Sequence, residues 1–229
     1  AMFFEDHNLI SAPVVDSNNH LLGRITVDDV VDVIRDEADR SFLSMAGLDE
    51  DDDMFSPVIR SAKRRAVWLG INLLTAFIAA WVIGLFSATI EQIVALAVLM
   101  PIVASMGGIA GSQTLMLVTR GIALNQVGKT NARWLMWKEL SVGLLNGLLW
   151  ACVVAVIAGF WFTSLALGLL IGTALIINLI TAALAGATIP LTLKRMNIDP
   201  AIAGGVILTT VTDVIGFASF LGLATVFLT

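Results

Sequence analysis

One aspartate stands alone in a long apolar run: Asp213 lies about twelve residues into the segment 201 to 228. An ionised carboxylate near the middle of a bilayer costs at least ~2.5 to 3.5 kcal/mol, so something must compensate it. No Lys or Arg lies at comparable depth, which leaves a proton, a cation, or threonine and backbone groups as partners. A purely structural alternative keeps Asp213 neutral and hydrogen-bonded across helices. Around it, Gly205, Thr209, Thr212 and Gly216 fall within about a third of a helix circumference at 3.6 residues per turn. That stripe is polar, narrow and ends in a carboxylate.

Three further carboxylates sit where spans meet water. Glu139 and Asp199 lie at one end of their segments, and Glu91 in the loop before the second segment. Acids at a pore mouth concentrate cations and repel anions. Two of them have an ordinary alternative: Asp199 precedes Pro200, a common way to start a helix, and Glu139 adjoins Lys138 as an interfacial pair. An acid without a base points to a cation, and an oxygen-only lining points to a hard one. Mg²⁺ fits best, because it keeps much of its water and needs only one or two carboxylates. His7 and His20 are the only histidines, and both lie outside the apolar segments. The residues themselves leave Na⁺, Ca²⁺ and H⁺ open.

The elements that hold these groups are set by composition: 58% hydrophobic residues, 14% charged and a mean hydropathy of +0.91 place most of the chain in lipid. Five apolar segments, roughly 66–86, 93–119, 134–161, 165–193 and 201–228, are each long enough for the ~20 residues that cross a bilayer. Lys63, Arg64 and Arg65 precede the first, Arg120, Lys129, Arg133 and Lys138 surround the second-to-third loop, and Lys194 and Arg195 follow the fourth. The positive-inside rule then puts the N-terminus in the cytoplasm and Thr229 outside. The inner segments carry stripes predicted to face partner helices: Glu139, Gly143, Asn146, Gly147 and Trp150 in the third, and Asn178, Thr181, Ala185 and Thr188 in the fourth. Pro190 is expected to break the fourth helix near its end. In PIVASMGGIAGSQ, Pro101, Gly107, Gly108 and Gly111 suggest either a broken helix with exposed carbonyls or close glycine packing. Cys152, the only cysteine, reads as a small core residue.

The first 62 residues are different, with fourteen acidic side chains against four Arg. Residues 9–34 read as a small α/β piece: a strand in LISAPVVD, a turn at SNNH, a strand in LLGRITV, and a helix opened by Asp28. Such a piece cannot bury a core alone. Asp28, Asp32, Asp36 and Asp39 recur on one helix face, a repulsion that a divalent cation or a basic partner surface would relieve. The run LDEDDD is too acidic to fold inward and reads as a tether. No apolar stretch precedes Arg65, so the first apolar helix is expected to be retained and not cleaved.

Together these motifs resemble the MgtE family of magnesium transporters, over essentially the whole chain. Residues 9–34, through SAPVVD and GRITVDDVVDVI, look like the closing half of a cystathionine-β-synthase (CBS) domain. Residues 57–229 resemble the family's membrane domain in Asn72 and Leu73, ALAVLMPIVASMGG, GSQ, KELSVGLLNG, MNIDPA and TTVTDVIG. The resemblance implies an all-α polytopic protein of five transmembrane helices with an incomplete α/β CBS fragment: residues 1–40 the fragment, 41–65 an acidic connecting segment, 66–229 the pore domain. It implies a homodimer in the cell's inner (plasma) membrane. Its pore is lined by the second and fifth helices, with hydrated Mg²⁺ held at Asp213, backbone carbonyls matched at Thr209, and Glu139 on the cytoplasmic side. It also implies that Asp29, Asp32 and Glu37 bind intracellular Mg²⁺ and close the pore. The sequence departs from the family pattern at Ile109, Ser112 and Gly205, where asparagines are usual, so the resemblance stops short of specifying selectivity among divalent cations.

The expected function is uptake of Mg²⁺ driven by membrane potential; an inside-negative ~100 mV supplies about 4.6 kcal/mol per divalent ion. No phosphate-binding loop or phosphorylation motif calls for an ATPase. The alternative within transport is a broader carrier of Co²⁺ or Ca²⁺, or an H⁺- or Na⁺-coupled exporter. An enzyme is not expected: a membrane protease would need two carboxylates, which only a dimer pairing two copies of Asp213 would supply. The expected partners are lipid, Mg²⁺ and a second copy. No nucleic acid is expected, nor a nucleotide, because the upstream part of the CBS module is absent.

Overall fold

The computed structural model describes residues 2–45, 47–48, 55–124, 126–128 and 130–228. The chain separates into two compact units, Ala1–Arg65 and Ala66–Thr229.

The first unit holds α1 (Met2–Asp6), β1 (Ser11–Val15), β2 (Leu21–Thr26) and α2 (Val27–Met45). The strands pair antiparallel, Ser11 opposite Thr26 and Val14 opposite Gly23. Asp16 makes the turn between them: its Oδ1 accepts from the amides of Asn18 and His20, both at 2.8 Å, while Asn19 takes a positive φ of 64°. The His20 amide, foremost, holds the Asp16 carboxyl below the ordinary carboxylate range. The helix begins one residue before the expected Asp28, and Asp29 does the capping. Its Oδ2 accepts from both the amide and the hydroxyl of Thr26 at 2.9 Å, the side-chain half of a capping box. The helix also runs past residue 40 to Met45, into the stretch expected to be connecting segment. The acidic run at 49–53 lies outside the described residues. Val30 is the one buried apolar side chain of this unit among those described, so two strands and a helix make no core of their own here.

The second unit is all helix. Among the described residues, five helices are long and apolar enough to cross a membrane: α3 (Val58–Gly84), α5 (Ala95–Ala123), α6 (Ala132–Trp161), α7 (Leu165–Arg195) and α8 (Pro200–Phe227). The one-turn helix α4 (Ser87–Gln92) lies between the first two. Buried positions on α5 recur at Leu96, Leu99, Val103, Gly107, Gly111, Thr114, Val118 and Ile122, a stripe spaced by threes and fours along one face. Those on α6 recur every four residues from Glu139 through Gly143 and Gly147 to Ala151. Asn146 and Trp150, expected on that stripe, are exposed on its outer side. Helix α7 is the centre, enclosed on most of its circumference by α5, α6 and α8.

Small residues permit this close approach, because lipid gives helices no hydrophobic incentive to associate and contact must come from fit. A Cβ on Gly143 would stand 2.6 Å from that of Ala183, and one on Gly186 would stand 2.7 Å from the carbonyl of Gly111. Neither proline interrupts its helix: α5 continues through Pro101 and α7 through Pro190 to Arg195. Gly107 and Gly111 are therefore contact points in a continuous helix, Gly108 faces open space, and the broken-helix alternative does not hold. Cys152 is exposed on the outside of the bundle and not in its core.

Candidate cation pathway

The start of α8 is fixed by two local devices. The preceding helix ends with Asn197 at φ 56°, the Ile198 amide bonded to the Leu193 carbonyl at 2.9 Å and the Asn197 amide to that of Lys194 at 3.2 Å. This is a left-handed cap that asparagine tolerates well. Asp199 then caps α8, its Oδ1 accepting from the Ala201 amide at 2.8 Å with Pro200 in the first turn. Asp199 is exposed and engaged as a cap.

From there α8 rises through 28 residues, of which Asp213 is the fourteenth, so the carboxylate lies at mid-helix. Leu208, Thr212 and Gly216 point into the bundle and are buried, whereas Gly205, Thr209 and Asp213, spaced by four, form a half-buried flank beside them. The expected single stripe is thus two adjacent rows. The Thr209 hydroxyl donates to the carbonyls of Gly205 and Val206 at 3.1 Å, and the Thr212 hydroxyl to those of Leu208 and Thr209 at 3.1 Å. Both hydroxyls therefore serve their own helix. Asp213 has no hydrogen-bond or ion-pair partner among the described residues. A Cβ added at Gly205 would meet nothing within 4 Å, so the flank is open at that level.

The other candidate acids lie elsewhere. Glu139 is 4% exposed, and both its oxygens are used: Oε2 accepts from the Thr114 hydroxyl of α5 at 3.1 Å, and Oε1 from Lys138 Nζ at 2.7 Å. It ties α6 to α5 as a neutralised, hydrogen-bonded pair, which is how a buried carboxylate is tolerated. Glu91 is exposed on α4, two residues after Thr89, whose hydroxyl meets that of Thr225 on α8 at 2.8 Å. Asp199 is fourteen positions from Asp213, about 21 Å along α8 at 1.5 Å per residue. In the first unit, Asp29 is committed to Thr26, Asp32 is exposed, and Glu37 lies 3.8 Å from Arg40. Among the described residues no three His, Cys, Asp or Glu side chains come together as a metal cage. A cation at Asp213 would therefore keep most of its water or draw ligands from beyond this chain.

One feature escaped the sequence reading except as a stripe member: Asn178 of α7 is fully buried, and its Nδ2 donates to the Val103 carbonyl of α5 at 2.8 Å. The asparagine was conspicuous in an apolar segment, but its partner, 75 residues away, was not.

Five apolar helices, one of them enclosed by three of the others, with an unpartnered carboxylate on a half-buried flank at mid-helix, define a multi-pass membrane protein. The chain belongs to the MgtE family: the family model, described as a divalent cation transporter, matches residues 100–223, which include Glu139, Asn178 and Asp213. Three curated proteins, each described as a magnesium transporter MgtE, are similar along the whole chain. The one from Bacillus subtilis is 32% identical, that from Enterococcus faecalis 31% and that from Thermus thermophilus 30%. The alignments cover 98 to 100% of this chain and 50 to 51% of the relatives, so the chain spans about half their length.

Proposed function

We propose that this chain carries Mg²⁺ across a membrane along the flank of α8, with Asp213 as the carboxylate that holds the passing ion. The observation that carries the proposal is the lone, unpartnered Asp213 at the middle of a helix otherwise made of apolar and small residues. Membership of a divalent cation transporter family and the description of three relatives as magnesium transporters support the choice of ion. Oxygen ligands and a retained water shell suit Mg²⁺ better than softer metals. In this reading the ion moves down the membrane potential, two copies of the chain form the path, and no catalysis is involved. The first unit faces the cytoplasm of a cell bounded by the inner (plasma) membrane. Residues 1–40 correspond to part of a CBS domain and 41–65 to a connector, and Asp29, Asp32 and Glu37 respond to intracellular Mg²⁺.

A second reading, transport of divalent cations more broadly, is favoured by the open space at Gly205, where no side chain narrows the flank. The test is Mg²⁺ uptake into liposomes loaded with a Mg²⁺-sensitive dye, with an imposed potential and with Co²⁺ or Ca²⁺ as competitor. Asp213→Ala should lower uptake at least about tenfold, the scale of losing an intramembrane charge. Unchanged uptake would remove Asp213 from the path. Equal uptake of Ca²⁺ would select the broader reading, and loss of uptake with a protonophore at clamped potential would select proton coupling.

A further inference from the structure

Asn178 joins three helices at one point. Its Nδ2 bonds the Val103 carbonyl of α5, while Gly107 of α5 and Gly216 of α8 close on the same amide from two sides. A Cβ on Gly216 would stand 2.7 Å from Nδ2, and one on Gly107 would collide with the amide outright. Oδ1 is buried and accepts no hydrogen bond. A leucine would fill this hollow without leaving a polar atom unsatisfied. The amide instead supplies a directional bond, which fixes the register of α7 against α5 where apolar contacts would let the helices slide. Gly216 lies three residues beyond Asp213, about 4.5 Å along α8, so the junction sits at the depth of the carboxylate.

We propose that Asn178 is a positioning residue for cation selection: by seating Gly107 and Gly216 on one amide, it sets the stance of α8 and so the place of Asp213, favouring Mg²⁺ over the larger Ca²⁺. The inference rests on the reading of Asp213 as the ion's carboxylate. Mg²⁺ demands near-octahedral ligands at short range, whereas Ca²⁺ accepts irregular ones, so discrimination requires a carboxylate held at a fixed place. A change of one methyl at the junction is on the scale that matters.

The test measures Mg²⁺ and Ca²⁺ uptake by the full chain in liposomes for Asn178→Ala, Gly216→Ala, the double variant and Asp213→Asn, with folding followed by size-exclusion chromatography. Each single junction variant should lower the Mg²⁺-to-Ca²⁺ uptake ratio roughly fivefold. The double variant should recover most of it, because the new methyl occupies the space the amide leaves. Should Asn178→Ala fail to fold, Asn178→Leu keeps a side chain of similar length without the amide donor and carries the same expectation. A ratio unchanged in folded variants, or both fluxes falling in proportion, would overturn the inference, since a merely structural loss lowers all cations alike. If Asp213→Asn retains full uptake, the transport reading itself fails; if it abolishes uptake while the junction variants keep the ratio, only the role of Asn178 fails.

Discussion

At the scale of single residues, the described acids divide by what already occupies them. Asp29 illustrates the consequence: the Thr26 amide, and after it the Thr26 hydroxyl, hold its carboxyl below its ordinary 3.8. A folded-state pKa below the unfolded one contributes stability that is complete above the ordinary value and lost as pH falls through the folded one. The Thr26 amide resonance should therefore titrate with a midpoint under 3.8, measured by NMR from about pH 6 downward; a midpoint at or above 3.8 would mean the cap does not form. The mid-helix place of Asp213 was legible in the sequence because its distance from the ends of an apolar run sets its depth. The commitment of Glu139 to Thr114 was not, since the partner lies 25 residues away on another helix. Cys152 was misplaced for a reason peculiar to membranes: an apolar neighbourhood in sequence does not separate a helix's lipid side from its buried side.

At the scale of elements, four of the five spans were legible to within a few residues because a bilayer imposes a length on apolar runs, whereas α3 begins at Val58, eight residues before the expected start, and continues through Lys63, Arg64 and Arg65. The tight turns were not, since they depend on backbone conformation. Between α6 and α7, Thr163 sits at φ 50°, with the Ser164 amide bonded to the Gly159 carbonyl at 3.1 Å, and Ser164 at once caps the next helix through the Leu167 amide. A β-branched residue at positive φ is strained where Asn197, at the equivalent point after α7, is not. Thr163→Gly should therefore raise stability by about 1 kcal/mol, read as a higher melting temperature in detergent. No gain would show that the turn carries no such strain. The glycines misled in the opposite direction: Gly107 and Gly111 fit a broken helix or a tight contact equally well in sequence, and only the facing residues on α7 and α8 decide for contact.

At the scale of the whole molecule, the acidic and apolar parts of the sequence correspond to two units that bury very different amounts of apolar surface. The first encloses a single apolar side chain among its described residues, and most of its described acids are exposed. If Asp32 and Glu37 serve intracellular Mg²⁺ in gating, Asp32→Asn with Glu37→Gln should move the internal Mg²⁺ concentration that halves flux upward by about threefold or more, a scale set by losing two exposed charges in water. An unmoved midpoint in patch-clamp recordings would take them out of the response. The second unit is organised around α7, whose partners α5 and α6 precede it in the chain while α8 follows. During synthesis the Asn178 amide thus enters the membrane before Gly216 exists to close over it. Helix α8, made after it, completes the enclosure of the central helix, so the face of α7 that carries Asn178 is first uncovered on the side that Gly216 later occupies.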